Sequence, residues 1–263
     1  MELSKRLKAV ADLVSCGRRV ADIGCDHGYV SIYLCEKQIA KKVIAMDVNA
    51  GPLARAREHI GQAGFGSYIE TRLSDGAMAL EPGEADTALI AGMGGRLMVR
   101  ILSQASERIG DFEELILQPQ SEIFKVREYL WEKGYQIVAE NMVLEEGKYY
   151  QMMKAVKKKK ASDPDPEVEA KRELAGIAQQ IHAPAEQVRE ACAWYGPLLL
   201  KTGHPVCKEF LAREYRNLDR IRQHIVEQKA TPETEERVEE LSHKLEILLV
   251  AEKVGNVYGD SQN

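Results

Sequence analysis

Ala21-Asp22-Ile23-Gly24-Cys25-Asp26-His27-Gly28-Tyr29-Val30 closes one apolar run, RRVADIG, and opens a helical one. A turn that only reverses the chain needs a single Gly or Asn. Two aspartates and a histidine set around Gly24 and Gly28 exceed that need and point to a polar ligand. The stretch stands where a first strand turns into a helix, the carboxyl edge at which open parallel sheets bind ligands. Dinucleotide loops want G-x-G-x-x-G with no carboxylate beside the pyrophosphate. Here only Gly24 and Gly28 fit that pattern, and Asp22 and Asp26 would repel phosphates. A ligand with a cationic end suits them better, and S-adenosylmethionine, with its ammonium and sulfonium, is such a ligand.

Working outward, short apolar runs alternate with helical segments: RRVADIG, KKVIAMD, SYIETRLS, ADTALIAG and EELILQP read as buried strands, separated by stretches such as GPLARAREHIGQAG and GRLMVRILSQASERI. Alternation of this kind predicts an α/β fold, a parallel sheet with helices on both faces. YQIVAENMVLEEGKYYQMMKAV adds two strands around the turn Glu145-Glu146-Gly147, for seven in all. The ends of successive strands carry acids. Asp47, followed by Val48, stands about 20 residues beyond the loop, where a carboxylate accepts from ribose hydroxyls. Ser74-Asp75-Gly76 follows the third strand, where an aspartate can accept from an adenine amino group. The series Asp22, Asp47, Asp75 describes a class I methyltransferase Rossmann-like sheet, with Gly24, Cys25, Gly28, Val48, Ser74 and Gly76 as further donor-binding residues. The alternative, ordinary polar residues at loop tips, holds for any one aspartate taken singly.

Lys157 to Lys160 and the following ASDPDPE join a like-charge run to two prolines, which places a domain boundary there. Residues 1–160 are expected as the donor-binding domain and 161–263 as an all-α, coiled-coil-like domain. In the latter, Leu211, Tyr215, Leu218, Ile221 or Arg222, and Ile225 recur at three-to-four spacing. After Thr231-Pro232, Val238, Leu241, Leu245 and Leu248 repeat the pattern, predicting a helical hairpin.

The fourth strand ends in Ala91-Gly92-Met93-Gly94-Gly95-Arg96. Methyltransferases acting on amino nitrogens place Asp/Asn-Pro-Pro-Tyr at this point; here there is neither carboxylate nor aromatic ring. Three glycines let the backbone approach a ligand, although a helix-start turn that needs positive φ accounts for each glycine alone.

These residues resemble one family over nearly the whole chain, the bacterial TrmK family of tRNA adenine-N1 methyltransferases that modify position 22 in the D-arm. The resemblance rests on DIGCDHGY, the acidic ends at Asp47 and Asp75, AGMGG, Gln118 to Gln120, the EEGKYY hairpin and the helical C-terminal part. It implies S-adenosylmethionine as donor, tRNA as partner, a Rossmann-like domain and a tRNA-binding helical domain.

Adenine N1 attacks through an in-plane lone pair and needs no deprotonation, so positioning and electrostatics should carry the reaction. In a duplex N1 faces its pairing partner, so the base must be unpaired or flipped. Asp26, His27 and Tyr29 are nominated to orient the base, with Gly92 and Met93 as the opposite wall; His27 as a helix cap is the alternative. Cys25 is expected as a small packed residue, because adenine N1 requires no covalent intermediate. For tRNA phosphates, Arg96 and Arg100 stand near the cleft, and Arg213, Arg216 and Arg220 share one helix face. A solvated face among Glu209, Glu214 and Asp219 is the alternative for that stripe.

Composition narrows the rest. A chain of 263 residues with net charge −5 carries no global basic imprint, so any nucleic-acid surface is local. Five cysteines with no C-x-x-C spacing argue against disulfide frameworks and structural zinc, and methyl transfer from a sulfonium needs no metal. No run of about 18 apolar residues crosses a membrane, and the N-terminus lacks a signal-peptide core. A cytoplasmic enzyme without an obligate protein partner is expected. Two rivals remain: a nicotinamide-dependent dehydrogenase, disfavoured by the missing middle glycine, and a non-catalytic adaptor that binds S-adenosylmethionine.

Overall fold

The computed structural model describes residues 2–157, 166–227 and 231–259. It divides into two compact units, Met1–Glu167 and Val168–Asn263. The lysine and proline segment read as the boundary lies, from residue 158 to 165, outside the described residues.

The first unit begins with helix α1 (Lys5–Ala11), whose N-cap Ser4 accepts the Leu7 N–H. Strands β1 (Arg18–Ile23), β2 (Ala40–Asp47), β3 (Ile69–Leu73), β4 (Thr87–Gly94), β5 (Glu114–Ser121), β6 (Tyr135–Glu145) and β7 (Lys148–Lys157) form one sheet in the order β3-β2-β1-β4-β5-β7-β6. β7 pairs antiparallel with both β5 and β6, while the pairs among β1 to β5 are parallel. The chain therefore runs outward from β1 to β3, then crosses to β4 and runs the other way. That reversal between β1 and β4 opens a crevice at their carboxyl ends.

Both faces of the strands are apolar because helices cover both. On one face Ala21, Ile23, Ile44, Met46 and Ile90 pack with Met98, Ile101 and Leu102 of α4 (Gly95–Ile109) and Val126 and Leu130 of α5 (Ile123–Glu132). On the other, Val20, Val43, Ala45 and Leu89 pack with Val10 of α1, Leu34 of α2 (Tyr29–Glu36), and Leu53 and Ile60 of α3 (Ala50–Gln62). Each fully buried Leu or Ile contributes about 1.5–3 kcal/mol. Arg127 is fully buried beside this core, where Nε donates to Glu140 Oε1 at 2.8 Å and Nη2 to Gln151 Oε1 at 2.6 Å. These bonds tie α5 to the β6–β7 hairpin.

The second unit is helical: α6 (Pro166–Ile181), α7 (Ala185–Tyr195), α8 (Pro197–Lys201), α9 (Pro205–Val226) and α10 (Pro232–Gly259). Leu211 of α9 and Leu241, Leu245 and Leu248 of α10 are buried, as their spacing predicts. Of the open pair at the fourth seam position, Ile221 is exposed and Arg222 shares a groove with Glu239, Ser242 and His243 of α10. The seam thus turns polar along α9. No described helix is long and apolar enough to cross a membrane.

Candidate active site

The crevice between β1 and β4 holds a cleft of about 730 Å³, within the range of small-molecule sites. It gathers most residues that the sequence nominated: Asp22, Gly24, Cys25, Asp26, His27, Tyr29, Asp47, Val48, Ser74, Asp75, Gly76, Gly92, Met93 and Arg100.

The β1 turn is shaped by backbone. Gly24 takes φ +78 and Gly28 φ +74, and between them Asp26 also sits at positive φ, 48°. Gly24 and Cys25 N–H groups both donate to Met46 O, at 2.8 and 2.9 Å, which fastens the turn to the end of β2. A Cβ on Gly24 would stand 2.3 Å from Met93 Cε, so the bare position is what lets the β4 turn lean over the β1 turn. Gly28 does not line the cleft; it starts α2 and lies against Ala56, where a Cβ would stand 3.2 Å away.

Asp22 is buried, and Ser31 Oγ donates to its Oδ2 at 2.6 Å. Burial pushes its pKa up to about 6, with the Ser31 bond opposing and the Asp47 charge adding to the rise. A buried carboxylate at that value is poised to gain from a cation in the cleft. Asp47 is held by the chain itself: Oδ2 accepts the Asp26 N–H at 3.3 Å and Oδ1 the Asn49 N–H at 2.8 Å. A carboxylate has about four lone-pair sites, so each oxygen keeps capacity for a ligand hydroxyl. Ser74 is committed locally, its hydroxyl donating to Gly76 O and accepting the Ala79 N–H. It shapes the turn that presents Asp75. Burial, followed by the charges of Asp22 and Asp47, pushes the Cys25 thiol far up, which leaves no thiolate for covalent chemistry and fits a packed residue.

His27 is not a helix cap: Gly28 occupies that position, and His27 Nδ1 is buried with no hydrogen-bond partner. Its ring stacks on Tyr29, 5.5 Å between centroids, and Tyr29 stacks in turn on His59, at 5.0 Å. His59 Nδ1 donates to the His27 carbonyl at 3.0 Å. A carbonyl only accepts, so His59 carries its proton on Nδ1. The sequence reading missed His59, one of several polar residues along α3 with nothing local to distinguish it.

The opposite wall also holds unforeseen groups. Arg6, from α1, donates through Nη1 to Gln118 Oε1 at 2.7 Å and lies over the Tyr150 ring at 5.3 Å. Arg6 and Gln120 both line the cleft beside Gly92, which takes φ +82. Gln118 and Gln120 end β5, so the strand-end rule that found Asp47 and Asp75 would also have found them. The two nearer arginines are paired with acids: Arg96 Nε donates to Glu122 Oε1 at 2.6 Å and does not line the cleft, while Arg100 stands 3.9 Å from Asp75. Arg213, Arg216 and Arg220 are exposed on α9 of the second unit.

The model of a methyltransferase domain matches residues 3–153. A tRNA (adenine(22)-N(1))-methyltransferase of Bacillus subtilis is 30% identical over 248 residues, 94% of this chain and 96% of that one. The crystal structure of the B. subtilis tRNA methyltransferase TrmK superposes with a TM-score of 0.79 at 29% identity, covering 95% of this chain and 99% of that one. A Streptococcus pneumoniae structure in complex with S-adenosyl-L-methionine gives 0.74 at 28% identity, covering 95% and 100%.

Proposed function

We infer the reaction from kinship: the chain belongs to the tRNA (adenine(22)-N(1))-methyltransferase family, and it transfers a methyl group from S-adenosylmethionine to N1 of adenine 22 in tRNA. The observation that carries this reading is the crevice at the strand reversal, where Asp22, Asp47 and Asp75 stand at three successive strand ends in one cleft. Its place of action is then the cytoplasm.

The donor, when bound, supplies an electrophilic methyl on sulfur; the N1 lone pair forms the new N–C bond, the S–C bond pair returns to sulfur, and no proton moves. Everything else falls to the protein. Asp22 favours the donor's ammonium from its buried position, and Asp47 accepts from the ribose hydroxyls. Asp75 takes the adenine amino group, with Val48 against the ring. Gly24, Cys25 and Gly76 allow close approach of the backbone, Gly28 starting α2 behind them. Asp26, His27 and Tyr29 face the target base, and the Asp26 carboxylate lowers the energy of the cationic product by about the few kcal/mol typical of such stabilisation. Gly92 and Met93 form the other wall. Arg96 and Arg100 of the first unit, and Arg213, Arg216 and Arg220 of the second, are the candidates for contact with tRNA phosphates.

The test is incubation with S-adenosylmethionine and an unmodified tRNA transcript, followed by digestion and quantification of 1-methyladenosine by mass spectrometry. Methylation lost when adenine 22 becomes guanine supports reaction and site; adenosylhomocysteine binding without methylation leaves the donor pocket and overturns the substrate. Reversing Arg213 and Arg216 to Glu should weaken tRNA binding and flatten its salt dependence. Unchanged affinity assigns that face to solvent.

A further inference from the structure

We propose that Gln120 grips the target adenine on its Hoogsteen edge, its amide oxygen accepting from the N6 amino group and its amide nitrogen donating to N7, which leaves N1 turned toward the methyl donor. The proposal rests on the adenine-N1 reading above and adds the group that orients the base.

β5 ends in Gln118-Pro119-Gln120-Ser121, and its two glutamines have different fates. Gln118 is buried and engaged at both ends of its amide: Oε1 accepts from Arg6 Nη1, and Nε2 donates to Pro119 O at 3.1 Å. Gln120, two residues on and so on the same side of the strand, is exposed and lines the cleft, and its side chain makes no hydrogen bond with another described residue. Its Nε2 and Arg6 Nη1 each stand 3.7 Å from where a Cβ on Gly92 would be. The missing side chain at Gly92 therefore leaves a space bordered by a fixed guanidinium and an uncommitted amide.

A primary amide carries a donor and an acceptor in one plane, and adenine offers the complement at N6 and N7. N7 lies across N6 from N1, so an amide held there leaves the N1 lone pair unobstructed. The guanidinium of Arg6, pinned by Gln118 and Tyr150, favours the electron-rich N7 side over an edge that becomes cationic on methylation. On the facing wall the carboxylates accept but cannot donate, and His27 and Tyr29 present a ring nitrogen or a hydroxyl rather than a donor and acceptor side by side in one plane. On the Gly92 wall, Gln120 supplies both functions.

The experiment uses the full-length enzyme and two tRNA transcripts, one with adenosine and one with 7-deazaadenosine at position 22; the latter lacks the N7 acceptor and keeps N1 and N6. Wild type should lose about tenfold in kcat/KM on the deaza substrate. Gln120→Ala should lose about tenfold on the ordinary substrate and then treat the two transcripts alike, as a coupled pair requires, while Gln120→Glu, whose carboxylate accepts but cannot donate to N7, should lose at least as much on the ordinary substrate and no longer prefer it over the deaza one. Both variants should bind adenosylhomocysteine within about twofold of wild type, which a folding defect would not preserve. A deaza substrate methylated at the full wild-type rate, or a penalty that persists in both variants, overturns the proposal. If wild type forms no 1-methyladenosine on the ordinary transcript, the adenine-N1 reading fails first and the proposal falls with it.

Discussion

The wall that carries Asp22 and Asp47 ties these carboxylates to the chain, whereas Gly92 and Gln120 across the cleft are left open. Asp22 is fixed by Ser31, Asp47 by two backbone N–H groups, and the β1 turn by Met46 O. Across the cleft, Gly92 has no side chain and that of Gln120 no partner among the described residues, although Arg6 and Gln118 beneath them are firmly paired. On the proposed reading Asp22 and Asp47 meet an invariant small molecule, and carboxylates already held in place gain by preorganisation, because little ordering cost remains at binding. On the same reading Gly92 and Gln120 would meet one base of a large, flexible polymer, with an adjustable contact on a rigid support.

Substitutions on the two walls should therefore separate in what they damage. Asp47→Ala removes ligand bonds and strands the Asp26 and Asn49 N–H groups, so adenosylhomocysteine affinity by calorimetry should fall about a hundredfold, roughly 3 kcal/mol. Retained affinity would break the comparison outright. Gly92→Ala forces a side chain into positive φ at about 1–2 kcal/mol; kcat/KM for tRNA should drop about 5- to 30-fold with donor affinity nearly intact, and equal loss of both would join the walls into one unit. Asp22 gives a pH signature. Its carboxylate is charged above its raised pKa of about 6, so donor affinity should be full at neutral pH and fall about tenfold per unit below 6. Fold stability runs the other way: a raised carboxylate stabilises the folded state while protonated, and that contribution disappears as pH rises through about 6. The ligand-free protein should therefore gain thermal stability from Asp22 between neutral pH and pH 5 while binding the donor less well, and Asp22→Asn should flatten both profiles. The smallest effect belongs to His59→Ala. Losing the bond to the His27 carbonyl is worth about 0.5–1.5 kcal/mol, a 2- to 12-fold fall in kcat/KM; an unchanged rate would leave the ring stack as packing alone.

The same contrast explains what the sequence disclosed. Strand alternation, the turn at Glu145-Glu146-Gly147 and the acids at strand ends are local patterns set by a sheet buried on both faces, so the seven strands and the Asp22, Asp47, Asp75 series were legible before any coordinates. Arg6 was not, because its meaning comes from Gln118, 112 positions away. His59 was hidden for the same reason, its partner being a carbonyl on another helix's loop. In the helical unit the leucine spacing fixed the base of the α9–α10 seam, but the choice between Ile221 and Arg222 was open, since a 3.6-residue repeat places neighbouring positions almost equally near an interface. Gln120 stood in the sequence only within the Gln118 to Gln120 motif of the family resemblance, and the strand-end rule, which gives such a residue a place in the cleft, assigns it a role.

The pinning of Arg6 by Gln118 and Tyr150 makes one wall of the cleft depend on distant parts of the chain. The residues proposed to hold the donor lie between 22 and 76, a compact stretch of chain. The facing wall joins the first helix to a strand and a hairpin more than a hundred residues later, so it depends on contacts of long sequence separation. Because α1 also packs Val10 and Ala11 into the core, the cleft's second wall is best probed by a change that keeps the helix: Arg6→Ala should leave adenosylhomocysteine binding near wild type while turnover on tRNA falls, and equal loss of both would make Arg6 a support of the whole cleft.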